Sequence, residues 1–235
     1  MFFLAQSEIA YIWDQATIEG KAIIVVLVIF SIFAWSVMAS KVVQLQRAKK
    51  LNRYFETEFR SQKYVMDVFD RQVQVPDCPL FMVYFEGCRE LAARLQKPPG
   101  ETGKATLSLA TMEHIKRTLE RAVAQQSLKL ESGLILLGNA VSGAPFLGLL
   151  GTVWGVMSTF SHIAMKGRAD LATMAPGVAA ALITTVAGLL VAIPSMFAYN
   201  FLVHNLRVQT VELDNFAQEL VSHIETEHLE DNHGP

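Results

Sequence analysis

The sequence predicts an all-α membrane protein: three transmembrane helices, the second and third extended into the cytoplasm, forming a helical bundle. Two observations carry this. Ala22 to Ser40 is a run of nineteen residues without a charge, and Gly133 to Met165 and Leu171 to Val203 are two further uncharged runs of 33 residues each. About 20 apolar residues suffice to cross a hydrocarbon core of about 30 Å. In addition, sixteen of the twenty Lys and Arg residues fall between Lys41 and Lys129. A composition of 51% hydrophobic residues with a net charge of −2 fits a large-cored soluble chain almost as well. The clustering of charge separates the two classes.

The elements follow in order. Residues 1–21 precede the first span; no basic residue comes before Lys21, and the apolar run exceeds a usual signal-peptide core, so 22–40 reads as an uncleaved anchor. By the positive-inside rule, the basic segment 41–132 is cytoplasmic and the N-terminus lies outside. Val42 to Val75 reads as a largely helical continuation of the first span, with Leu45, Leu51, Phe55 and Phe59 as its apolar stripe. Pro76 and Pro79 interrupt it. A second apolar stretch, Phe81 to Leu95, ends at a Pro98-Pro99-Gly100 loop. From Ala105 to Glu131, Leu109, Met112, Ile115, Leu119, Val123 and Leu130 share one face, opposite Glu113, Lys116, Arg117, Glu120 and Arg121. No breaker separates this helix from 133–165, so one uninterrupted helix is expected. Residues 166–170 form the outer loop, and 171–203 continues into a cytoplasmic 204–235, where Leu213, Phe216, Leu220 and Ile224 mark a packed helix that frays from Glu227.

Candidate chemistry is sparse outside the spans. Cys78 and Cys88 lie on the cytoplasmic side, lack the second pair a zinc site needs, and read as reduced packing residues. Gly100-Glu101-Thr102-Gly103-Lys104-Ala105 has two residues between its glycines where a P-loop has four, and an alanine at the hydroxyl position, so it reads as a turn. His162 and His204 suit interfacial positions, and His114, His223, His228 and His233 suit the surface. No catalytic signature, metal site or cofactor site appears.

The two long runs carry the functional signal, because each contains Thr-Val-x-Gly deep inside it. Thr152 is thirteen residues before Met165 and Thr185 is fourteen beyond Leu171, about 20 and 21 Å at a rise of about 1.5 Å per residue. In an antiparallel hairpin the two hydroxyls share one depth. Gly148, Thr152, Gly155 and Thr159 lie on one face, and Gly177, Ala181, Thr185, Gly188 and Ala192 on another. Small residues let helices approach closely, as Gly151-x-x-x-Gly155 also would, and a threonine is able to bond its own helix. Packing and a polar pathway therefore both account for the stripe. Pro145, Pro176 and Pro194 remove helical donors, which in a bilayer suits a water-lined cavity.

The segment Gly143-Ala-Pro-Phe-Leu-Gly-Leu-Leu-Gly-Thr-Val-Trp-Gly-Val-Met157, followed by Ala175-Pro-Gly-Val-Ala-Ala-Ala-Leu-Ile-Thr-Thr-Val-Ala-Gly-Leu189 and Ala192-Ile-Pro194, resembles the ExbB/TolQ proton-channel family. Phe30-Ser-Ile-Phe-Ala-Trp35 leans toward TolQ. The resemblance implies an inner-membrane homopentamer with periplasmic N-terminus and outer loop, its second and third spans lining a pore around single-span helices of an ExbD- or TolR-like partner. It implies that Thr152, Thr185 and the adjacent Thr184 line the proton path, with Pro145, Gly148, Gly151, Gly155, Pro176, Gly177, Ala181, Gly188 and Pro194 shaping the pore helices. Proton flow would drive a TonB- or TolA-like protein, for outer-membrane transport or envelope maintenance. One residue departs from the family pattern: Ala180 stands where members commonly carry Glu, and neither long run holds Asp, Glu, Lys or Arg. The acid must then come from the partner. Two other readings are a non-conducting membrane scaffold, in which the stripes only pack, and a MotA-like flagellar stator, whose chains typically have four spans against the three counted here.

Overall fold

The computed structural model describes residues 17–72, 74–95, 107–166 and 171–228. Among these are six helices: α1 (Ile18–Arg60), α2 (Asp67–Asp70), α3 (Pro79–Leu95), α4 (Leu109–Glu131), α5 (Leu134–Lys166) and α6 (Leu171–His228). The all-α class and the three spans are as expected, for α1, α5 and α6 are each long and apolar enough to cross a membrane. The Pro98-Pro99-Gly100 loop, the P-loop-like segment and the tail beyond His228 lie outside the described residues; Glu227 and His228, where fraying is expected, are still helical, and the Glu227 carboxylate accepts the Val65 N–H at 3.0 Å.

Two compact units result. The first contains the described residues up to Lys41 together with Gly133–Phe201; the second contains Val42–Ser132 and the described residues from Leu202 onward. In the first unit, the Thr17 hydroxyl accepts the Gly20 N–H at 3.2 Å and starts α1, satisfying one of the orphan donors of a helix N-terminus. Leu27 of α1, 1% exposed, packs against Ala144 of α5 and Val191 and Ala192 of α6, with Ile23, Leu147 and Ala187 around them. The outward residues Val25, Val28, Ile32, Phe33 and Trp35 are at least half exposed, as a lipid-facing surface requires.

The second unit is a soluble-type helical core. Phe55, Phe59, Phe81, Tyr84 and Phe216 form a ring cluster with centroids 5.2–6.4 Å apart, a spacing at which edge-on aromatic contacts are favourable. Met112, Ile115, Leu119, Val123 and Leu130 of α4 are buried with Leu213, Leu220 and Ile224 of α6, while Leu109 is 78% exposed. Leu109 is the first residue of α4, one position past its N-cap, where the Ser108 hydroxyl accepts the Thr111 N–H. Pro79 occupies the first position of α3, where a missing N–H costs nothing. The next donors are met too: Leu80 N–H across the core by the Asn52 side-chain oxygen at 3.2 Å, and locally Phe81 N–H by Cys78 Sγ at 3.4 Å and Met82 N–H by the Cys78 carbonyl at 3.1 Å. The buried Tyr84 hydroxyl donates to the Val65 carbonyl at 2.6 Å and accepts from Phe69 N–H at 2.9 Å, tying the turn after α1 to α3.

Two expectations are corrected. The continuation of the first span is helical only to Arg60; turns and the one-turn α2 follow. The helix expected to run unbroken into the second span breaks at Ser132–Gly133. Ser132 leaves helical geometry at φ −49, ψ 135, and Gly133 takes φ +84, a conformation open to glycine without the Cβ penalty. Ser132 N–H still reaches the Leu128 carbonyl at 3.0 Å. The chain thus closes α4 with its own bonds and starts α5 as a new helix.

Tyr84→Phe is expected to strand the Phe69 N–H and leave the Val65 carbonyl only the Cys88 thiol at 3.9 Å, lowering the melting temperature of the detergent-solubilised protein at a cost of roughly 1–3 kcal/mol; an unchanged melting temperature would contradict that role. Burial pushes the Cys78 thiol up to about 11 and Cys88 to about 12, so thiolate is scarce near neutral pH. Iodoacetamide is therefore expected to label both slowly in the folded protein and rapidly after denaturation, as read by mass spectrometry.

Candidate functional site

The site is the antiparallel α5–α6 hairpin, and its register is set by glycine. A Cβ on Gly148 would lie 2.8 Å from the Thr184 carbonyl oxygen and 3.0 Å from Thr185 Cα; one on Gly188 would lie 2.5 Å from the Ala144 carbonyl oxygen. A Cβ on Gly155 would lie 2.7 Å from that of Ala181 and one on Gly177 2.5 Å from the Thr159 hydroxyl, while Gly151 faces the Thr184 side chain. At Gly148 and Gly188 backbone meets backbone. In lipid, where burial supplies little force between helices, such contacts and the hydrogen bonds they permit hold a pair together.

The threonines divide into two kinds. Thr184 is fully buried, and its hydroxyl points to the Gly148 carbonyl across the hairpin at 3.0 Å and to its own Ala181 carbonyl at 2.7 Å. Thr185 is half-buried and donates to the same Gly148 oxygen at 3.2 Å. Thr152, also half-buried, donates to the Leu149 carbonyl of its own helix at 2.7 Å. Since Gly151 faces Thr184 and Gly155 faces Ala181, Thr152 is level with the Thr184–Thr185 pair to within about one residue, or about 1.5 Å. The α5 packing face steps through Gly148, Gly151, Gly155 and Thr159, which leaves Thr152 beside the contact line.

Pro145 lies within α5, and Pro176 and Pro194 within α6; both helices continue through them. None of the three prolines donates to the carbonyl four residues earlier. Beside Pro194, the buried Ser195 hydroxyl bonds the Val191 carbonyl at 2.7 Å. Ala180 is 4% exposed and Ala181 3%, so position 180 holds a buried methyl. His162 Nδ1 is 2.9 Å from the Ser158 carbonyl on an exposed surface. Among the described residues no three His, Cys, Asp or Glu side chains gather as a metal site would need.

Sequence reasoning grouped Thr184 with the other threonines; the structure encloses it between the helices. It also missed the Gly148 carbonyl, which accepts both hydroxyls, because a backbone acceptor leaves no mark in the residue types. The pairing of Gly148 with Gly188 was the available signal.

Gly188→Val is expected to destabilise the hairpin by about 1–3 kcal/mol, the usual range for overpacking. Gly143→Ala, whose Cβ meets nothing within 4 Å, is expected to leave stability unchanged or slightly raised. Thermal melting in detergent compares the two variants, and equal melting temperatures would contradict the packing account.

Residues 92–215 match the MotA/TolQ/ExbB proton channel family. The chain is similar to a biopolymer transport protein ExbB of Xanthomonas campestris, 32% identical over 198 residues that cover 84% of this chain and 78% of that one. It is also similar to Tol-Pal system proteins TolQ: 35% identical to that of Pseudomonas aeruginosa over 190 residues, 80% and 79% of the two chains, and 32% identical to that of Haemophilus influenzae over 215 residues, 88% and 90%. With this match, these relatives and its three apolar spans, the chain is a multi-pass membrane protein that belongs to the MotA/TolQ/ExbB proton channel family.

Proposed function

We propose that this chain is the multi-span subunit of an inner-membrane proton channel that turns proton motive force into mechanical work. The observation that carries the reading is the pair Thr152 and Thr185, half-buried hydroxyls at one level of a hairpin whose two uncharged runs hold no Asp, Glu, Lys or Arg. Threonine orients water and solvates a carboxylate without titrating. The proton-binding acid therefore comes from outside the chain, on an ExbD- or TolR-like single-span partner carrying an Asp. The buried methyl of Ala180 supports this division of labour.

In this reading the chain assembles as a homopentamer around the partner's helices, with 1–21 and 166–170 periplasmic, 41–132 and 204–235 cytoplasmic, and 22–40, 133–165 and 171–203 spanning. The basic charge between Lys41 and Lys129 supports that orientation. Each proton moved through 100 mV supplies about 2.3 kcal/mol, so a few suffice for a conformational step that a TonB- or TolA-like protein carries toward the outer membrane. Gly148, Gly151, Gly155, Gly177, Ala181 and Gly188, with Thr184 clamped among them, hold the hairpin rigid while Thr152 and Thr185 serve the path. A non-conducting scaffold remains the second reading, favoured by the way the glycine contacts alone account for the small-residue stripe.

Valine keeps threonine's shape and removes the hydroxyl. Thr152→Val and Thr185→Val are each expected to abolish proton-motive-force-dependent import or envelope integrity in a deletion strain while the complex still assembles; Thr159→Val is expected to matter less. Thr184→Val is expected to cost roughly 1 kcal/mol of hairpin stability through its lost hydrogen bonds. Wild-type output from well-expressed Thr152→Val and Thr185→Val chains would leave the scaffold standing.

A further inference from the structure

The second unit leaves two helix faces uncovered at matching heights. On α1, the buried side is Leu45, Ala48, Asn52, Phe55 and Phe59. Directly opposite at helical spacing stand Val43, Arg47, Lys50 and Tyr54, with Val43 64% and Tyr54 66% exposed. Arg47 pairs only loosely with Asp77, at 3.4 Å with both side chains more than half exposed. Among the described residues Lys50 makes no ion pair. On α6, the buried side is Leu206, Gln209, Leu213, Phe216 and Leu220, and the opposite face shows Val208, Val211, Asn215 and Gln218, flanked by Glu212 and Asp214. Asp214 likewise makes no ion pair among the described residues.

The two helices run in the same direction here. Gln209 Nε2 donates to the Leu45 carbonyl at 3.0 Å, a separation of 164 residues, and the rings of His223 and Phe59, separated by the same number, are 5.8 Å apart. That offset puts Val43 beside the level of Val208, Arg47 beside Glu212, Lys50 level with Asp214, and Tyr54 level with Gln218. Valine lies level with valine and Lys50 with Asp214, while Glu212 borders a groove that its own chain lines with Arg53 and Arg60.

We propose that these faces form a heterologous interface between copies of this chain: the Val43–Arg47–Lys50–Tyr54 stripe of α1 in one copy against the Val208–Val211–Asp214 side of α6 in the next. The inference rests on the homo-oligomeric reading above and adds its contact. A rotation about an axis parallel to the helices keeps every residue at its own height, so residues level within one chain stay level across the contact, and head-to-tail pairing closes a ring. A lipid surface fits less well, since Lys50 and Tyr54 lie ten and fourteen residues beyond Ser40, about 15 and 21 Å along the helix. Here the charges set register and partner choice, as interfacial charges do.

The test uses full-length chains co-expressed in membranes, one copy carrying Lys50→Cys and a differently tagged copy carrying Asp214→Cys, treated with a short bis-maleimide. Cys78 and Cys88 are 0% exposed, and the unsubstituted chain is the control for them. The expected result is a mixed dimer well above the level given by either variant alone, from an assembly whose native mass matches that of the unsubstituted chain. An assembly of native mass without mixed dimers, or with dimers mainly between like variants, would overturn the interface and leave these faces to lipid headgroups or another protein. A monomeric native mass for the unsubstituted chain would overturn the oligomeric reading itself.

Discussion

The close approach of α5 to α6 governs the membrane unit. At Gly148 and Gly188 a single added carbon would sit within 3 Å of backbone on the other helix, nearer than real Cβ atoms come. Two helices with ordinary side chains at those positions would separate, and with them the hydrogen bonds from Thr184 and Thr185 to the Gly148 carbonyl. These bonds are satisfied inside the pair, as a bilayer requires of its polar groups. The approach therefore fixes the register, and the register puts Thr152 level with Thr185.

From that constraint a division among the threonines follows. Thr184 is sealed in the contact and spends its hydroxyl on carbonyls of its own chain, whereas Thr152 and Thr185 stay half-buried at the edge. The second unit obeys different physics. There burial in water drives packing, and the polar side chains inside it serve backbone groups: Asn52 caps α3, Tyr84 holds the turn after α1, and Gln209 reaches the Leu45 carbonyl.

Much of this was legible in the residues. Runs of uncharged residues located the spans, and the three-and-four spacing of Met112, Ile115 and Leu119 and of Leu213, Phe216, Leu220 and Ile224 located the buried faces, because periodicity reports directly on burial. The small-residue stripe announced a close hairpin, but its phase was misjudged by one residue: Gly151, not Thr152, faces α6. The break at Gly133 was missed because one glycine in a helical pattern is usually tolerated, and only its φ of +84 reveals a boundary. The partners of Asn52, Tyr84 and Gln209 were invisible, since they are backbone groups brought near by tertiary structure.

What the membrane hairpin lacks is as informative as what it holds. Neither uncharged run holds Asp, Glu, Lys or Arg, and Ala180 is buried; the proposed function therefore makes Thr152 and Thr185 half of a proton site whose acid belongs to another chain. Proton flux into proteoliposomes under an imposed membrane potential tests this most directly, with this chain reconstituted alone and then with a single-span partner bearing an Asp. The account predicts flux only in the second case, lost when that Asp is replaced by Asn. Equal flux from this chain alone, or none with the assembled pair, would contradict it.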